Sequence, residues 1–392
     1  MKKIVFIYQN FFENRDYERF GIEYFKRKGC KVEVWSMIHL LARSRKVAAN
    51  HACTYSVPVF YPKSMEELRR KTKCNKKSIF ILLVNYRDTM ELRREIYRNH
   101  SVYYELKICA PLMYEEEFNR WTILQKIKWS IKVEKKSISD AVLSCMAPIL
   151  KKSIFDYIFD LYTLFNPPKA VFYSTEWDRF KMPLALRHCK NYSIQTLDYD
   201  LFLELKNTPC CKNRSICFID EGLYNNHPDN VLFNGEKVSK ERGLQKIRKM
   251  LDRLESIFPE LKVIIAGHPR VKYDGNEFGD REIVQFKTPE LVRNAEIVVA
   301  TATTAWNYII LFDKPVLLYS LPEVSAQKDI PVLENYLQIK CFDFWHKHSD
   351  MELKRSVKRI DPTVRERYIR EYIKGNDCIE RPFFETVADI VV

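Results

Sequence analysis

The chain has 392 residues, of which 46% are hydrophobic and 30% are charged. This composition predicts a folded protein of two or three domains and excludes an intrinsically disordered chain. Lysine and arginine outnumber aspartate and glutamate by 65 to 51, which gives a formal net charge of +14. Such a balance fits either an ordinary basic protein or one with an anionic partner, such as nucleic acid, anionic lipid or a phosphorylated substrate.

Missing motifs disfavour several function classes. The eleven cysteines are scattered, and an odd number without a C-x-x-C pair argues against a disulfide framework and a zinc site. The sequence has neither G-x-G-x-x-G nor G-x-x-x-x-G-K-[S/T], so a standard NAD-binding turn and a P-loop are not expected. No uncharged run is longer than residues 297–312, which is shorter than the ~18 residues that span a bilayer. Polar residues soon follow the apolar N-terminal run, so we expect no signal peptide and a cytoplasmic protein.

The first half of the chain begins as a β-α-β unit, which is typical of a parallel sheet. Residues 3–8 predict a buried strand, residues 17–28 have the apolar spacing of a helix ended by Gly29, and residues 31–35 alternate as a strand. Further strands are predicted at 78–85, 170–174, 192–197 and 216–219, helices at 64–71 and 89–98, and a long basic helical region at 114–165.

A second β/α series begins near Gly235 with an amphipathic helix predicted at 241–258. The two series together predict an α/β protein with two Rossmann-like domains that face a cleft. We place the domains at residues 1–232 and 233–392. The remaining predicted elements are strands at 262–266, 282–286, 296–300 and 315–319, and helices at 289–294, 305–312 and from about residue 350 onwards.

Ligands of such sheets lie at the carboxyl ends of the strands, so the residues that follow each strand are the candidates for chemistry. Asp220-Glu221-Gly222 follows the strand at 216–219. Because consecutive strand residues point to opposite faces, only one of the two carboxylates need face the cleft. That carboxylate is suited to take a proton from an acceptor hydroxyl. A simple turn is the alternative, since all three residue types are common there.

Gly267-His268-Pro269-Arg270 follows the strand at 262–266. The proline keeps His268 extended, and a histidine at a strand end can donate a hydrogen bond to a phosphate or protonate it as it leaves. Arg270 could add a bidentate phosphate contact. A purely structural histidine is the alternative.

Thr301, Thr303 and Thr304 follow the strand at 296–300 and open a predicted helix. Hydroxyl and backbone N–H groups at such a position bind phosphate, and ordinary capping by threonine is the alternative. Glu290 begins another short helix beside the same predicted cleft. Its carboxylate could receive ribose hydroxyls, or it could be a solvated residue of a first helical turn.

Taken together, these motifs resemble those of the bacterial GT-B glycosyltransferases that use CMP-activated sugars: the sialyltransferases, polysialyltransferases and relatives of Kdo transferases. That group carries an acidic-acidic-Gly motif, a His-Pro motif and a Ser/Thr pair, which here are residues 220–222, 268–269 and 303–304. The Asp-Lys-Pro-Val segment at 313–316 is similar to the Lys-Pro strand of these enzymes. The resemblance covers residues 216–320, with threonines in place of the usual serines. The N-terminal half matches in fold class and in Arg19-Phe20-Gly21.

The resemblance implies a GT-B fold with an N-terminal acceptor domain that carries the base and a C-terminal domain for the nucleotide sugar. It implies inverting transfer of a sialic acid- or Kdo-like sugar from CMP to a glycan hydroxyl in capsule or lipopolysaccharide synthesis. Asp220 would be the base, with Glu221 as the alternative. His268 would bind or protonate the CMP phosphate, which Thr303 and Thr304 would hold. No cofactor and no metal is expected for the chemistry, because these groups can neutralise one leaving phosphate.

Acceptor contacts are predicted from polar residues near strand ends or helix starts of the first half, namely Tyr17, Arg19, Asp198 and Asp200. Structural hydrogen bonding is the alternative for each. Residues 121–136 interleave tryptophans with lysines, so they fit either a charged solvent face or contact with an anionic membrane that presents a lipid-linked glycan. We do not expect nucleic acid as a partner, because no recognised binding module accompanies the charge.

Two alternatives stay open on the sequence alone. The first is a GT-B transferase with another donor, such as CDP-glycerol or a UDP- or GDP-sugar, for which Glu323 near the Lys-Pro segment would be a sign. The second is a non-catalytic protein that uses the fold to bind lipid or nucleic acid.

Overall fold

The computed structural model describes residues 1–41, 53–84, 90–107, 158, 161–175, 178–179, 182–209, 214–222, 224, 240–320, 329–344, 348–378 and 380–392. These residues form two parallel sheets, each covered by helices on both faces. Within them, none of the helices combines the length and the apolar character needed to cross a membrane.

The first sheet accounts for the apolar runs of the N-terminal half. Its central strands are buried on both faces, which is why they read as continuous apolar segments in the sequence. Its strands are β1 (Lys3–Tyr8), β2 (Lys31–Ser36), β3 (Val59–Phe60), β4 (Ile79–Leu83), β5 (Val102–Lys107), β6 (Ala170–Tyr173) and β7 (Asn191–Ser193), in the spatial order β3-β2-β1-β4-β5-β6-β7. Its helices are α1 (Asn14–Arg19), α2 (Ile22–Arg27), α3 (Ile38–Leu41), α4 (Met65–Cys74), α5 (Met90–Arg98) and α6 (Leu184–Arg187).

The single helix predicted at 17–28 is wrong, because the chain forms two short helices, α1 and α2, with a break at Gly21. Gly21 has a φ of +54°, a left-handed conformation that favours glycine. A Cβ atom at this position would lie 2.5 Å from the Cβ of Phe384, which comes from the C-terminal end of the chain. The break therefore depends on a long-range contact that the local sequence pattern does not contain.

The second sheet has its strands in the spatial order β10-β9-β8-β11-β12-β13, and all of its strand pairs are parallel. These strands are β8 (Ser215–Ile219), β9 (Lys262–Gly267), β10 (Glu282–Gln285), β11 (Ile297–Ala300), β12 (Val316–Ser320) and β13 (Phe342–Asp343). The accompanying helices are α8 (Lys240–Ile257), α9 (Thr288–Asn294), α10 (Trp306–Leu311), α11 (Ile330–Leu337), α12 (Asp350–Ser356) and α13 (Pro362–Tyr368), the last followed by a π-helical turn at Ile369–Ile373.

The connection between the sheets does not match the predicted boundary at residue 232. The chain leaves the first sheet after β7, passes through helix α7 (Leu197–Lys206) and enters the second sheet at β8. Asp220, which follows β8, is therefore carried by the second domain. The last helix, α14 (Phe383–Val391), returns to the first domain, where the Phe384 ring packs against Phe6 and Phe20. Two Rossmann-like domains with this connectivity confirm the predicted fold class, GT-B.

Candidate functional site

Three neighbouring strands bring the predicted motifs to one edge of the second sheet. β8 pairs in parallel with β9 on one side and with β11 on the other. The segments after Ile219, Gly267 and Ala300 consequently lie side by side at the carboxyl edge. This is the position where ligands of open parallel sheets bind.

Asp220 lies below the surface of this edge and is only 3% exposed. One carboxylate oxygen accepts the backbone N–H of Gly222 at 3.1 Å, and the other accepts the hydroxyls of Tyr224 at 2.8 Å and Tyr273 at 2.5 Å. Burial raises the pKa of Asp220, and the hydrogen bonds from Tyr273 and Tyr224 act in the opposite direction. These contacts fix the carboxylate in the protein interior.

Glu221 is the partly exposed member of the acidic pair. It follows Asp220 directly, so its side chain leaves the strand end on the other side. The structure thus separates the two adjacent carboxylates into one that is buried among tyrosines and one that reaches the surface.

Tyr273 links the His268 segment to Asp220. Its oxygen accepts the backbone N–H of His268 at 2.7 Å while its hydroxyl donates to Asp220. The side-chain amide of Gln285 donates to the carbonyl of His268 at 2.8 Å, which holds the same turn from β10. His268 Nδ1 accepts the backbone N–H of Arg270 at 3.2 Å, so the hydrogen of the neutral imidazole is on Nε2.

Gly267 has a packing reason for being glycine. A Cβ atom there would lie 2.9 Å from the ring of Tyr273 and 3.0 Å from Ile283. Without that atom the tyrosine ring can approach the strand closely enough to reach Asp220. Pro269, the next residue after His268, is partly exposed at the same turn.

Arg270 does not fit its predicted role as a bidentate phosphate ligand. Its side chain is buried, with one guanidinium nitrogen 3.1 Å from the Tyr8 hydroxyl and 3.8 Å from a carboxylate oxygen of Asp16. Tyr8 ends β1 and Asp16 lies in α1, so both partners belong to the first domain. Arg270 therefore joins the two domains, and its contacts place the carboxyl edge of the second sheet opposite that of the first.

The three threonines have different surroundings. Thr304 is exposed, whereas Thr301 and Thr303 are buried. The Thr303 hydroxyl accepts the backbone N–H of Ala305 at 3.0 Å, a local turn just before α10, whose N-cap is Ala305 and has no side-chain cap hydrogen bond. Of the predicted hydroxyl pair, Thr304 is the one that reaches solvent. Glu290 is partly exposed in the first turn of α9.

Arg19 and Asp198 meet at the domain interface. A guanidinium nitrogen of Arg19 lies 3.6 Å from a carboxylate oxygen of Asp198. Asp198 also accepts the side-chain amide of Asn307 and the hydroxyl of Tyr308, each at 2.8 Å. Since Asn307 and Tyr308 belong to α10, the carboxylate ties helix α7 to the second domain.

Tyr17 and Asp200 lie apart from the Arg19–Asp198 contact. The Tyr17 ring stacks on Tyr55 with centroids 4.2 Å apart, and its hydroxyl contacts Lys26 and Glu23. Both of these hydroxyl contacts are in α2, so we assign Tyr17 a structural role.

Asp200 connects helix α7 to the C-terminal helix. Its carboxylate accepts the side-chain amide of Gln195 at 2.5 Å and the backbone N–H of Phe383 at 2.7 Å. Burial raises the pKa of Asp200 to about 6. These contacts give it the structural role that was the alternative to acceptor binding.

Two predicted features fall outside the described residues: the basic stretch at 121–136 and Glu323. Within the described residues, no group of three or more His, Cys, Asp or Glu side chains is arranged to hold a metal ion.

Sequence reasoning missed Tyr224 and Tyr273. Tyr273 carries no signal in the sequence, because it reaches Asp220 from a position 53 residues away, and Tyr224 reaches it from four residues away without a recognisable motif.

Comparison with known proteins gives distant structural likenesses and no match in sequence. The sequence matches no protein-family model and no curated protein. MurG from Acinetobacter baumannii has 9% identity and a TM-score of 0.46, with 100% of this chain and 99% of that chain covered. CalG4, the calicheamicin glycosyltransferase, has 12% identity and a TM-score of 0.49, with coverage of 100% and 97%. The UDP-GlcNAc 2-epimerase from Methanocaldococcus jannaschii has 10% identity and a TM-score of 0.46, with coverage of 99% of each chain.

Proposed function

We propose that the protein is an inverting glycosyltransferase that moves a sialic acid- or Kdo-like sugar from a CMP-sugar to a glycan hydroxyl. The observation that carries this proposal is the shared edge at which Glu221, His268 and Thr304 follow three neighbouring strands. A carboxylate, an imidazole N–H and a hydroxyl are the groups that a displacement at an anomeric carbon needs.

In the proposed reaction, Glu221 takes the proton of the acceptor hydroxyl. The acceptor oxygen then attacks the anomeric carbon of the donor sugar, and the bond from that carbon to the CMP phosphate oxygen breaks. The electron pair of this bond leaves with the phosphate. Nε2–H of His268 and the hydroxyl of Thr304 donate hydrogen bonds to the leaving phosphate, and the configuration of the anomeric carbon is inverted.

We assign the base to Glu221, the alternative of the sequence-based prediction, and not to Asp220. The carboxylate of Asp220 is buried and already accepts three hydrogen bonds, so an acceptor hydroxyl would have to displace one of these donors. Through Tyr273 the same carboxylate positions the backbone of His268. Asp220 is therefore a positioning residue in this proposal.

A CMP leaving group fits the modest number of phosphate ligands at this edge. In the described part of the chain, the edge offers one imidazole and one exposed hydroxyl, while Arg270 is engaged with the first domain. One phosphate group needs fewer positive ligands than a diphosphate. In this proposal the second domain binds the donor, the first domain binds the acceptor, and the product is a bacterial surface polysaccharide made at the inner face of the membrane.

A thermal-shift screen with CMP, CDP, UDP and GDP, each without and with Mg²⁺, tests the proposal. A ligand at ~100 times its Kd adds about 2.7 kcal/mol to the free energy of unfolding. We expect CMP to raise the Tm of the wild type whether or not Mg²⁺ is added. The rise should be lost in His268→Ala and kept in His188→Ala, a matched control in which an exposed histidine of the first domain is removed.

The other outcomes of the screen each contradict a stated part of the proposal. Stabilisation by UDP, GDP or CDP in place of CMP would support a transferase but contradict the CMP-sugar donor. No response to any nucleotide would overturn the transferase and favour a non-catalytic binding protein.

A further inference from the structure

The carboxyl edge of the first sheet carries two arginines that face the second domain. Helix α1 follows β1 and has Arg15 and Arg19 one turn apart, so their side chains lie on the same face. Arg19 contacts Asp198, and Arg270 of the second domain reaches the neighbouring Tyr8. These contacts locate the arginine face in the cleft between the domains.

Arg19 has hydrogen-bonding capacity that its surroundings do not use. Its distance of 3.6 Å to Asp198 is longer than a hydrogen bond, and both oxygens of Asp198 already accept from Asn307 and Tyr308. Its Nε is buried and has no hydrogen-bond partner. A buried guanidinium N–H without an acceptor is unfavourable, and such groups are rare in folded proteins.

Arg15 is likewise without an acceptor. It is partly exposed, and among the described residues no side chain or carbonyl forms a hydrogen bond or ion pair with it. The adjacent Asp16 is engaged elsewhere: its carboxylate accepts the Tyr8 hydroxyl and the Glu13 backbone N–H, each at 3.1 Å. The charge of Asp16 acts on Arg15, but the hydrogen bonds of this carboxylate go to Tyr8 and Glu13.

The positive charges are close enough to disfavour one another. Burial lowers the pKa of Arg15, as do the charges of Arg19 and Arg270, with Asp16 acting in the opposite direction. Arg15 therefore costs stability in the absence of a ligand, and such unfavourable arrangements are typical of binding sites. Burial also acts to lower the pKa of Arg19, but the charges of Asp198 and other neighbouring groups together raise this pKa overall. An oxyanion between the guanidinium groups would supply the acceptors that they lack.

We propose that Arg15 and Arg19 bind a carboxylate or phosphate group of the acceptor, so that the enzyme transfers its sugar to an acidic glycan. The assignment to the acceptor rests on the proposed function, which places the donor phosphate at His268. Arg270 links the His268 turn to helix α1. Its backbone N–H donates to His268 Nδ1, and its guanidinium lies 3.8 Å from the carboxylate of Asp16, the residue next to Arg15. An acidic group held by Arg15 and Arg19 would thus anchor the acceptor beside the donor.

The test uses two sugars that differ only at C6, where glucuronate has a carboxylate and glucose has a hydroxymethyl group, with inorganic phosphate as a second anion. Binding is measured by isothermal titration calorimetry to the wild type, Arg15→Gln, Arg19→Gln and the control Arg27→Gln. Arg27 lies on the next helix, is exposed and stacks on Tyr24. We expect the wild type and the control to bind glucuronate and phosphate but not glucose. Each cluster variant should raise the Kd by about tenfold or more, as expected for the loss of a charge-assisted hydrogen bond.

Melting temperatures separate ligand binding from a structural role. Because Arg15 has unfavourable neighbours and no acceptor in the described part of the chain, Arg15→Gln should melt at the wild-type temperature or above it. A lower Tm with unchanged anion binding would overturn the proposal, as would equal binding of glucuronate and glucose by the wild type.

A CMP titration of the same variants distinguishes the acceptor from the donor. We expect Arg15→Gln to keep the CMP affinity of the wild type while it loses glucuronate, and His268→Ala to show the reverse. A loss of CMP affinity in Arg15→Gln would assign the oxyanion to the donor and overturn the acceptor assignment. A third outcome is that neither the wild type nor any variant binds CMP, while glucuronate binding is still lost in Arg15→Gln. This result would overturn the proposed donor and support the oxyanion site.

Discussion

The carboxyl edges of the two sheets face each other, yet they are built in opposite ways. At the edge of the second sheet, neutral donors surround a buried carboxylate: Tyr224, Tyr273 and the backbone of Gly222 all donate to Asp220. At the edge of the first sheet, Arg15 and the Nε of Arg19 have no hydrogen-bond acceptor among the residues that the structure describes. A saturated network holds groups in place, whereas unsatisfied charged groups are available to a ligand. The comparison suggests that the second edge positions the reacting groups and the first edge recognises the substrate.

The largest expected effects that test this comparison come from neutralising each of the two adjacent carboxylates in turn. Glu221→Gln removes the proposed base and should lower the rate of CMP release from the activated sugar by about 10²–10⁴-fold, with an unchanged Tm. Asp220→Asn removes a charge that three donors surround and should lower the free energy of unfolding by about 1–3 kcal/mol. Rates and melting curves of both variants, measured side by side, check this prediction.

The opposite pattern would contradict the assignment of the base. If Asp220→Asn abolished turnover at full stability and Glu221→Gln remained active, the buried carboxylate would be the base. The surface carboxylate would then have no part in the chemistry.

Two tyrosines sharpen the comparison, because both donate to the same oxygen of Asp220 but only one also contacts His268. Tyr224→Phe and Tyr273→Phe should each lower the free energy of unfolding by about 0.5–3 kcal/mol, since each removes one hydrogen bond to a charged group. Only Tyr273→Phe should also weaken nucleotide binding, because it frees the backbone N–H of His268. Chemical denaturation and CMP titration of this matched pair measure the two effects; equal CMP affinities in both variants would show that Tyr273 does not position the histidine.

The last prediction concerns Asp200, a half-buried carboxylate that belongs to neither edge. Its pKa is raised from 3.8 in the unfolded chain to about 6 in the fold, so the folded state binds the proton more tightly. Stability from this group is therefore fully present below pH 3.8 and is lost as the pH rises through about 6. Relative to Asp200→Asn, the wild type should lose about 1–3 kcal/mol between pH 4.5 and pH 7. Denaturation curves of both proteins across this pH range check the prediction, and a stability difference that does not change with pH would contradict it.

The sequence predicted the second sheet well because its elements have local signals. The strands β9 and β11 are apolar runs of ordinary length, and α8 has one apolar face, so their positions differ from the predicted ranges by one or two residues. The parallel arrangement then fixed which segments share an edge. The first domain was harder, because Gly21 breaks a helix through contact with Phe384 and because β5 was not recognised as a strand.

The sequence predicts that the site residues lie at the carboxyl edge of the sheet, but it does not predict which way each side chain points. The choice between Asp220 and Glu221 depends on two tyrosines that follow at different distances along the chain, and no local pattern reveals such contacts. Arg270 was assigned to phosphate because it follows a His-Pro pair, whereas its partners, Tyr8 and Asp16, belong to the other domain. The contacts of Tyr273 and of Arg270 are long-range in sequence, whereas the contact of Tyr224 with Asp220 spans four residues.

The most direct test of the central claim is an experimental structure of the protein with the nucleotide that stabilises it most. The account predicts that its phosphate lies within hydrogen-bond distance of His268 Nε2 and the Thr304 hydroxyl, with Glu221 facing the same space and Asp220 still enclosed by its tyrosines. A phosphate bound elsewhere, for example in the surface pocket of about 410 Å³ that Tyr17 and Tyr55 line, would contradict it.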